Sequence, residues 1–326
     1  MRRKAVERLQ EQQGSTREVR IYPAPVSIRE AAAVQCGTPE CHLLVRTQEQ
    51  LDAALELEPA SITLDYLDLY GLKPSLERVR AAGIVARVAS PRVLKPGEGR
   101  IVNFLLGCDC PILVRSAGLL QALRERSHPE LIGDFSLNAA NAVSAEQFFD
   151  LGLSRLTPTH ELNAAQVAAL ARSVGGGLIE AIAYQHLPVF HTEHCVFCRF
   201  LSTGTSYRDC GRPCEKHVVS LRDEGGRAHP VMADVGCRNT VFGAEAQEAS
   251  RHLEQWLAAG IHRFRLEFAH ESGEQVARVA RAFADALAGR KSLRELGSHL
   301  ARLAPQGVTE GSLFVPEGYL TLPVLQ

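Results

Sequence analysis

Residues Cys41–Tyr66 read CHLLVRTQEQLDAALELEPASITLDY, a short apolar strand, a helix and a second apolar strand. Thr47 and Gln50 have the spacing of a capping box, which predicts that the helix begins there. After the following helix, Gly83 stands where a helix C-cap glycine is expected, directly before a third strand. Strands that alternate with helices in this way predict a parallel sheet with right-handed crossovers.

The same alternation extends along the chain to about residue 290. The predicted strands are Cys41–Thr47, Ser61–Tyr66, Ile84–Ser90, Pro111–Ser116, Leu131–Leu137, Ser154–Thr159, Leu178–Gln185 and His262–Ala269. Further capping boxes are predicted at Ser144 with Gln147 and at Ser272 with Gln275. Eight evenly spaced strands predict an α/β fold of the (β/α)8 TIM-like barrel type, which suits this chain length. An open doubly wound sheet is the alternative, but no GxGxxG motif follows the first strand.

The chain divides into three predicted parts. Residues 1–35 form an N-terminal helix and a linker, residues 36–290 form the barrel, and residues 291–326 form a C-terminal extension. The barrel contains residues 191–239 as a cysteine-rich insertion between its seventh and eighth strands. Alternating residues around the Gly-Gly pair at 225–226 predict a β-hairpin in this insertion. The insertion therefore falls at the carboxyl ends of the strands, where barrel enzymes keep their active sites.

The composition is that of an ordinary globular protein, with 326 residues, 45% hydrophobic and 22% charged, and a net charge of −1. No overall basic charge indicates nucleic acid, so DNA is not expected, although a local arginine-lined groove could still bind RNA. The charged N-terminus does not resemble a signal peptide, and no apolar run is long enough for a membrane span. We therefore expect a protein of the reducing cytoplasm.

Five of the nine cysteines lie in the insertion, as Cys195-x2-Cys198, Cys210-x3-Cys214 and a more distant Cys237. Thiolates grouped in this way, in a chain without a secretion signal, suit a soft metal ion or an iron–sulfur cluster better than disulfides. A structural zinc knuckle has similar spacing and is the main alternative. Unrelated surface cysteines are the weakest alternative.

The stretches EHCVFCRFLSTGTSYRDCGRPCEKH and ADVGCRNTVF resemble the signature region of the collagenase-like peptidase U32 family, and the resemblance covers residues 36–290 or more. It implies a barrel with a 4Fe–4S cluster in place of a proteolytic triad. It also implies an oxygen-independent hydroxylase of RNA bases or quinone precursors, with prephenate as the oxygen donor. Longer relatives carry such a module as one half of a double-length chain, which implies a partner module or a second U32-type subunit.

The resemblance also assigns the cluster ligands. Cys195 matches the first family cysteine, Cys214 the cysteine after the glycine turn, and Cys237 the last one. Cys198 and Cys210 compete for the remaining position. Cys210 is preferred, because small residues often stand at the position of Cys198 in this branch of the family.

Polar residues on both sides of the cysteines are candidates for chemistry. His191, Glu193 and His194 precede the first cysteine and could donate protons, or could hold the insertion to the barrel by hydrogen bonds. Arg238 and Asn239 follow the last cysteine. They could bind a carboxylate-bearing molecule, or cap the next helix.

Charged residues on the predicted strands are candidates for substrate binding. Arg265 and Glu267 lie two residues apart and so share one face of the eighth strand. Arg87 and Arg115 could join them inside the barrel. Buried arginines must face either a ligand or a carboxylate, so an internal salt-bridge layer is the alternative.

Further pocket candidates lie on the same side of the barrel: Asn138 and Asn141 after the fifth strand, and Tyr184 with Gln185 at the end of the seventh. The four other cysteines are predicted to be free thiols; they are Cys36, Cys41, Cys108 and Cys110. Because the chain has no GxSxG or HExxH motif, no hydrolytic mechanism can be assigned to it. A peptidase, as the family name states, and a non-catalytic metal-stapled subunit are the alternatives to the hydroxylase.

Overall fold

The computed structural model describes residues 2–14, 37–67, 71–206 and 208–315. Its strands are β1 (Glu40–Val45), β2 (Ser61–Leu64), β3 (Val85–Ala89), β4 (Ile112–Val114), β5 (Leu131–Gly133), β6 (Arg155–Leu156), β7 (Glu180–Thr192), β8 (Val219–Arg222), β9 (Ala228–Asp234), β10 (Arg238–Glu248), β11 (Arg263–Glu267) and β12 (Val308–Thr309). All eight predicted strands are present. The linker predicted before residue 36, and Cys36 itself, lie outside the described residues.

The helices lie mainly between the strands. They are α1 (Arg2–Gly14), α2 (Gln48–Leu55), α3 (Leu72–Ala81), α4 (Gly99–Leu106), α5 (Ala117–Arg124), α6 (Ala142–Asp150), α7 (Ala164–Val174), α8 (Val196–Leu201), α9 (Leu253–Ala258), α10 (Gly273–Leu287) and α11 (Leu293–Leu303). None of the helices in the described part of the chain is both long enough and apolar enough to cross a membrane.

The eight predicted strands form a curled parallel sheet. Its order is β6-β5-β4-β3-β2-β1-β11-β7, and every neighbouring pair in this run is parallel. A parallel bridge between Leu156 in β6 and Ile179, directly before β7, connects the two ends of the run. The arrangement is compatible with a barrel-like fold.

The sheet continues through antiparallel strands on the other side of β7. The strand β7 runs beyond the predicted end at Gln185 to Thr192, and this extension pairs with β10. The strand β9 pairs with β10 and with β8, and a turn with Gly226 at φ +83° joins β8 to β9. The sequence did not predict β10, because its apolar residues do not alternate regularly with polar ones.

Two predicted capping boxes need correction, and one is confirmed. Ser272 and Gln275 form the expected reciprocal pair at α10. The box predicted at Ser144 is wrong, because Asn141 is the N-cap of α6 and Ser144 is its third helical residue. Thr47 accepts a hydrogen bond from the Gln50 backbone N–H at α2, but the Gln50 side chain accepts from the backbone N–H of Arg46 instead of Thr47.

The main hydrophobic core lies between the sheet and its helices. The long helix α10 buries Val276, Val279 and Phe283 in this core. The C-terminal helix α11 buries Leu296 and Leu300 in the same core. By contrast, the side chains described for α1 are all exposed. The described part of the C-terminal extension is therefore packed into the fold.

Candidate functional site

A cavity of about 600 Å³ opens at the carboxyl ends of the parallel strands. Arg46 directly follows β1, Asp65 follows β2, and Arg115 follows β4, and all three line it. The antiparallel strands β8 and β9 cover the opposite wall, with Val231 and Asp234. The volume is within the usual range of small-molecule pockets.

Five free cysteines lie in the segment that covers this cavity. Cys195 is the N-cap of α8 and Cys198 lies within the helix, where its backbone N–H is 3.4 Å from the Cys195 Sγ. Cys210 lies before a short 3₁₀ turn that begins at Pro213, and Cys214 lies within this turn. Cys237 lies in the turn between β9 and β10. Cys214 also lines the cavity. The fold therefore brings the cysteines together from separate turns.

The thiols are close enough to affect one another electrostatically. Burial raises the pKa of Cys237, and Cys195, Cys210 and Cys198 raise it further. Burial also raises the pKa of Cys214 and of Cys198, and in both cases Cys195 and Cys210 add to the effect. Cys195 and Cys210 thus each raise the pKa of Cys198, Cys214 and Cys237.

The backbone at Cys237 is unusual. It has a φ of +62° and follows Gly236, at φ +86°. A residue with a β-carbon is strained in this left-handed region, and such strain occurs most often at functional sites. The turn places the last cysteine next to the others.

The spacing of the sulfurs bears on the metal that they could hold. Among the described residues, the one set of three candidate ligand atoms that lie within 4.8 Å of one another contains no cysteine. A tetrahedral zinc ion with Zn–S bonds of about 2.3 Å requires sulfurs only about 3.8 Å apart. A cubane holds its thiolates further apart, since each one binds a different corner iron. The sulfurs of the described cysteines are therefore not arranged as a preformed tetrahedral zinc site, and thiolates are also the ligands of iron–sulfur clusters.

The structure places the three predicted proton donors outside the cavity lining. The Nδ1 atom of His191 lies 2.9 Å from the Thr240 hydroxyl, across the β7–β10 pair. Glu193 pairs with Lys95 and, at 3.0 Å, with Arg238. His194 is exposed. The contacts of His191 and Glu193 are of the kind that hold this segment to its neighbours.

Arg238 and Asn239 begin β10, so the alternative that they cap the next helix is wrong. Arg238 is fully buried, and its guanidinium donates to Glu193 and to both carboxylate oxygens of Glu98, at 3.0 Å each. The Asn239 side chain accepts the backbone N–H of Val196, the first residue of α8, at 2.6 Å. Both side chains thus position the cysteine-bearing segment.

Arg265 lies at the centre of a buried ion network within the parallel sheet. It donates to Glu180 at 3.0 Å, to Glu267 at 2.9 Å and to Asp134, while Arg87 donates to Glu180 at 2.7 Å. Burial alone would raise the pKa of Asp134, but the charges of Arg265 and Arg115, together with the hydrogen bonds that Asp134 accepts, outweigh burial and hold that pKa below its usual value. This is the internal salt-bridge layer that the sequence left open as an alternative.

The network continues to the floor of the cavity. Arg115 donates to Asp134 at 2.8 Å and to both oxygens of Asp65, at 2.8 and 3.0 Å. Arg46 pairs with Asp65 at 3.0 Å and with Glu267 at 3.4 Å. The floor of the cavity is therefore charged but internally neutralised.

Other predicted residues lie away from the cavity. Asn138 is exposed, with φ +59°, after a short 3₁₀ turn. Tyr184 is fully buried in the main core and contacts Phe268. Burial raises the pKa of Cys41 and of Cys110 to about 12, as expected of inert free thiols.

Arg92 and Asp234 are among the cavity residues that were not predicted from the sequence. Arg92 lies 5.0 Å above the Phe135 ring, and no ion pair joins it to a carboxylate of the described residues. Burial, followed by the charge of Asp65, raises the pKa of Asp234 to about 6. Both residues lie in loops or at strand ends without a recognisable motif, so only the fold brings them to the cavity.

The chain is similar to one protein family and to several solved structures. Residues 107–317 match the sequence model of peptidase family U32. The U32 peptidase Mk0906 is 11% identical, with a TM-score of 0.43, over 73% of this chain and 96% of that chain. Two structures of the spore cortex-lytic enzyme SleL also match, each over 71% of this chain and 70% of the SleL chain. The enzyme from Bacillus megaterium QM B1551 is 10% identical, with a TM-score of 0.34. The enzyme from Bacillus cereus is 8% identical, with a TM-score of 0.36. No match was found among curated proteins.

Proposed function

Because the chain belongs to peptidase family U32, we propose that it is an iron–sulfur enzyme whose cluster lies beside the cavity. Cys195, Cys210, Cys214 and Cys237 are the proposed ligands. The observation that carries the proposal is the grouping of these thiols from separate turns, next to a cavity that Cys214 itself lines. Because thiolate ligands need a reducing environment, we place the protein in the cytoplasm.

The choice of Cys210 over Cys198 follows the family resemblance, in which the position of Cys198 is often filled by a small residue. Cys210 raises the pKa of Cys198, Cys214 and Cys237, as Cys195 does. The Cys198 Sγ instead lies 3.4 Å from the backbone carbonyl oxygen of Gly204, to which the thiol donates. Cys198 is therefore the alternate ligand.

The proposed fold is a complete (β/α)8 barrel with the cysteine-rich segment inserted between β7 and β11. The parallel bridge between Leu156 and Ile179 supports closure, since it joins the ends of the eight-stranded run. In such a barrel the cavity occupies the usual position of an active site, at the carboxyl ends of the strands.

The proposed reaction is an oxygen-independent hydroxylation: a C–H bond of the acceptor becomes C–OH, and the oxygen donor, a prephenate-like acid, loses that oxygen atom and is reduced by two electrons. A bound cluster supplies electron-transfer chemistry, and the residues of the chain bind and orient the substrate. Arg92, which has no carboxylate partner among the described residues, would bind an anionic group, such as a carboxylate of a prephenate-like oxygen donor or an RNA phosphate. Asp234, with a pKa of about 6, can hold or release a proton near neutral pH.

The size of the cavity limits the acceptor. A volume of about 600 Å³ accommodates a small aromatic or quinone precursor, or one RNA base turned out of its strand. Phe135, whose ring contacts both Arg92 and His160, forms an apolar part of the cavity lining. A small aromatic ring, free or as a base, is the substrate class that we propose.

The test is the iron and sulfide content and the absorption spectrum of protein purified without oxygen. We expect about four irons and four sulfides per chain, lost in Cys195→Ala and Cys214→Ala and retained in a matched control, Cys108→Ala, which removes a buried thiol elsewhere. Loss in Cys198→Ala but not in Cys210→Ala would change the ligand assignment. Protein that binds only zinc and is stable in air would contradict the proposal and favour a peptidase or a metal-stapled subunit.

A further inference from the structure

A second group of potential metal ligands, without cysteines, lies at the cavity. His186 belongs to β7, whereas His270 and Glu271 follow β11. One ligand atom from each of the three lies within 4.8 Å of the other two. His186 and Glu271 are buried, and both His270 and Glu271 line the cavity.

Both ring nitrogens of His186 lie next to hydrogen-bond acceptors. Its Nδ1 lies 2.8 Å from the carbonyl oxygen of Gly243, and its Nε2 lies 3.1 Å from Oε1 of Glu271. Both neighbours are acceptors, but a neutral imidazole has only one N–H. If Nδ1 donates to Gly243, the Nε2 lone pair faces a carboxylate, unless a proton or a metal ion lies between them.

The other oxygen of Glu271 is already occupied. Oε2 accepts the backbone N–H groups of Ala269, at 2.8 Å, and of His270, at 3.1 Å. These bonds fix the carboxylate so that Oε1 points toward His186. Ligands of protein-bound metal ions are usually held by such outer hydrogen bonds, and the carbonyl of Gly243 does the same for His186.

His270 distinguishes a metal ion from a single shared proton. Its ring centroid lies 4.6 Å from that of His186, and its Nδ1 is buried without a hydrogen-bond partner among the described residues. A proton between His186 and Glu271 would leave His270 unexplained, whereas one divalent ion can bind all three residues.

We propose that His186, His270 and Glu271 bind a divalent first-row transition metal ion such as Zn²⁺. Two histidines and one carboxylate are a donor set of zinc sites that keep an open position, and also of non-haem iron sites. The open position would face the cavity, because His270 and Glu271 form part of its wall. The ion could then bind an anionic oxygen of a cavity ligand. This site shares no residue with the cysteine site and does not depend on it.

The test is zinc binding by the full chain after removal of metal. In a Cys195→Ala/Cys214→Ala protein, we expect one Zn²⁺ per chain, with nitrogen and oxygen ligands in its X-ray absorption spectrum. Adding His270→Asn or Glu271→Gln should weaken zinc binding by at least about tenfold. Loss of a residue that only supports a metal ligand already costs about tenfold or more in affinity, and these residues are proposed as ligands themselves. His128→Asn, which changes an exposed histidine, is the matched control and should bind as tightly as its parent.

A second measurement applies if the cysteine variants do not fold. Co²⁺ bound by cysteines gives thiolate-to-metal charge-transfer bands, whereas Co²⁺ bound by histidine and carboxylate does not. In the chain with all its cysteines, His270→Asn should remove the absorption of Co²⁺ bound by histidine and carboxylate. The thiolate-to-Co²⁺ charge-transfer bands should remain. Equal metal binding with and without His270, or coordination by sulfur alone, would overturn the proposal.

Discussion

The interior of the parallel sheet and the walls of the cavity differ in how their charged side chains are paired. Inside the sheet, Arg265 is fully buried and every oppositely charged neighbour contacts it or another arginine. On the cavity walls, Arg92 has no carboxylate partner among the described residues, and Asp234 has a raised pKa. The comparison indicates that paired charges build the fold, while the groups available for chemistry lie around the cavity.

The largest effect is expected from breaking the network at its centre. Arg265→Met removes one cation from among three buried carboxylates, those of Asp134, Glu180 and Glu267. Because uncompensated buried charge is costly, we expect a loss of about 3–5 kcal/mol in the free energy of unfolding, measured by urea denaturation. Arg265→Lys keeps the charge but loses the forked geometry and should fall between this variant and the wild type.

Arg278→Met is the matched control for this change. Arg278 pairs with Glu274 on the surface of α10, and we expect its replacement to cost less than about 0.5 kcal/mol. If Arg265→Met and Arg278→Met had the same free energy of unfolding, the buried ion network would not stabilise the fold. Arg265 would then again be a candidate for substrate binding.

Replacing Asp234 is expected to have an intermediate effect, and to raise the free energy of unfolding instead of lowering it. Its pKa is about 6 in the folded chain and 3.8 without perturbation, so folding favours the protonated form and stability falls as the pH rises between these values. Asp234→Asn removes this dependence. We expect the variant to exceed the wild type by on the order of 2 kcal/mol at pH 8, and the difference to shrink toward pH 4.

Unfolding as a function of pH is the measurement for Asp234, and Asp52→Asn is its control. Asp52 is exposed and pairs with Arg78 on the surface, so its replacement should give no gain that grows with pH. A stability difference between Asp234→Asn and the wild type that stayed constant from pH 4 to pH 8 would show that the Asp234 carboxyl does not titrate differently in the folded chain.

The sequence predicted the parallel sheet because each strand and helix carries its own local signal. Apolar runs such as Leu43–Val45 and a glycine such as Gly83, at φ +73°, mark where elements begin and end. The capping box at Ser144 failed because Asn141, three residues earlier, is an equally good N-cap. Local patterns therefore located the elements better than their ends.

The candidate site was only partly predictable. The cysteines were identified because their side-chain chemistry is informative by itself, whatever their contacts. The role of an arginine depends on its partners: Arg238 and Arg265 seemed suited to a substrate carboxylate, but the fold supplies carboxylates to both. His186 and His270 are separated by many residues, and only the pairing of β7 with β11 brings them together.

The smallest effect is expected from Arg92, and it sharpens the comparison between paired and unpaired arginines. Arg92→Met breaks no ion pair among the described residues and loses only the contact with the Phe135 ring, so we expect a change of less than about 1 kcal/mol. Arg238→Met, which removes charged hydrogen bonds to Glu98 and Glu193, should cost about 1–2 kcal/mol, limited by the solvent exposure of those carboxylates. Thermal unfolding followed by circular dichroism measures both. A larger loss at Arg92 than at Arg238 would mean that Arg92 belongs to the structural network, and the anionic group of the substrate would then have to be bound elsewhere in the cavity.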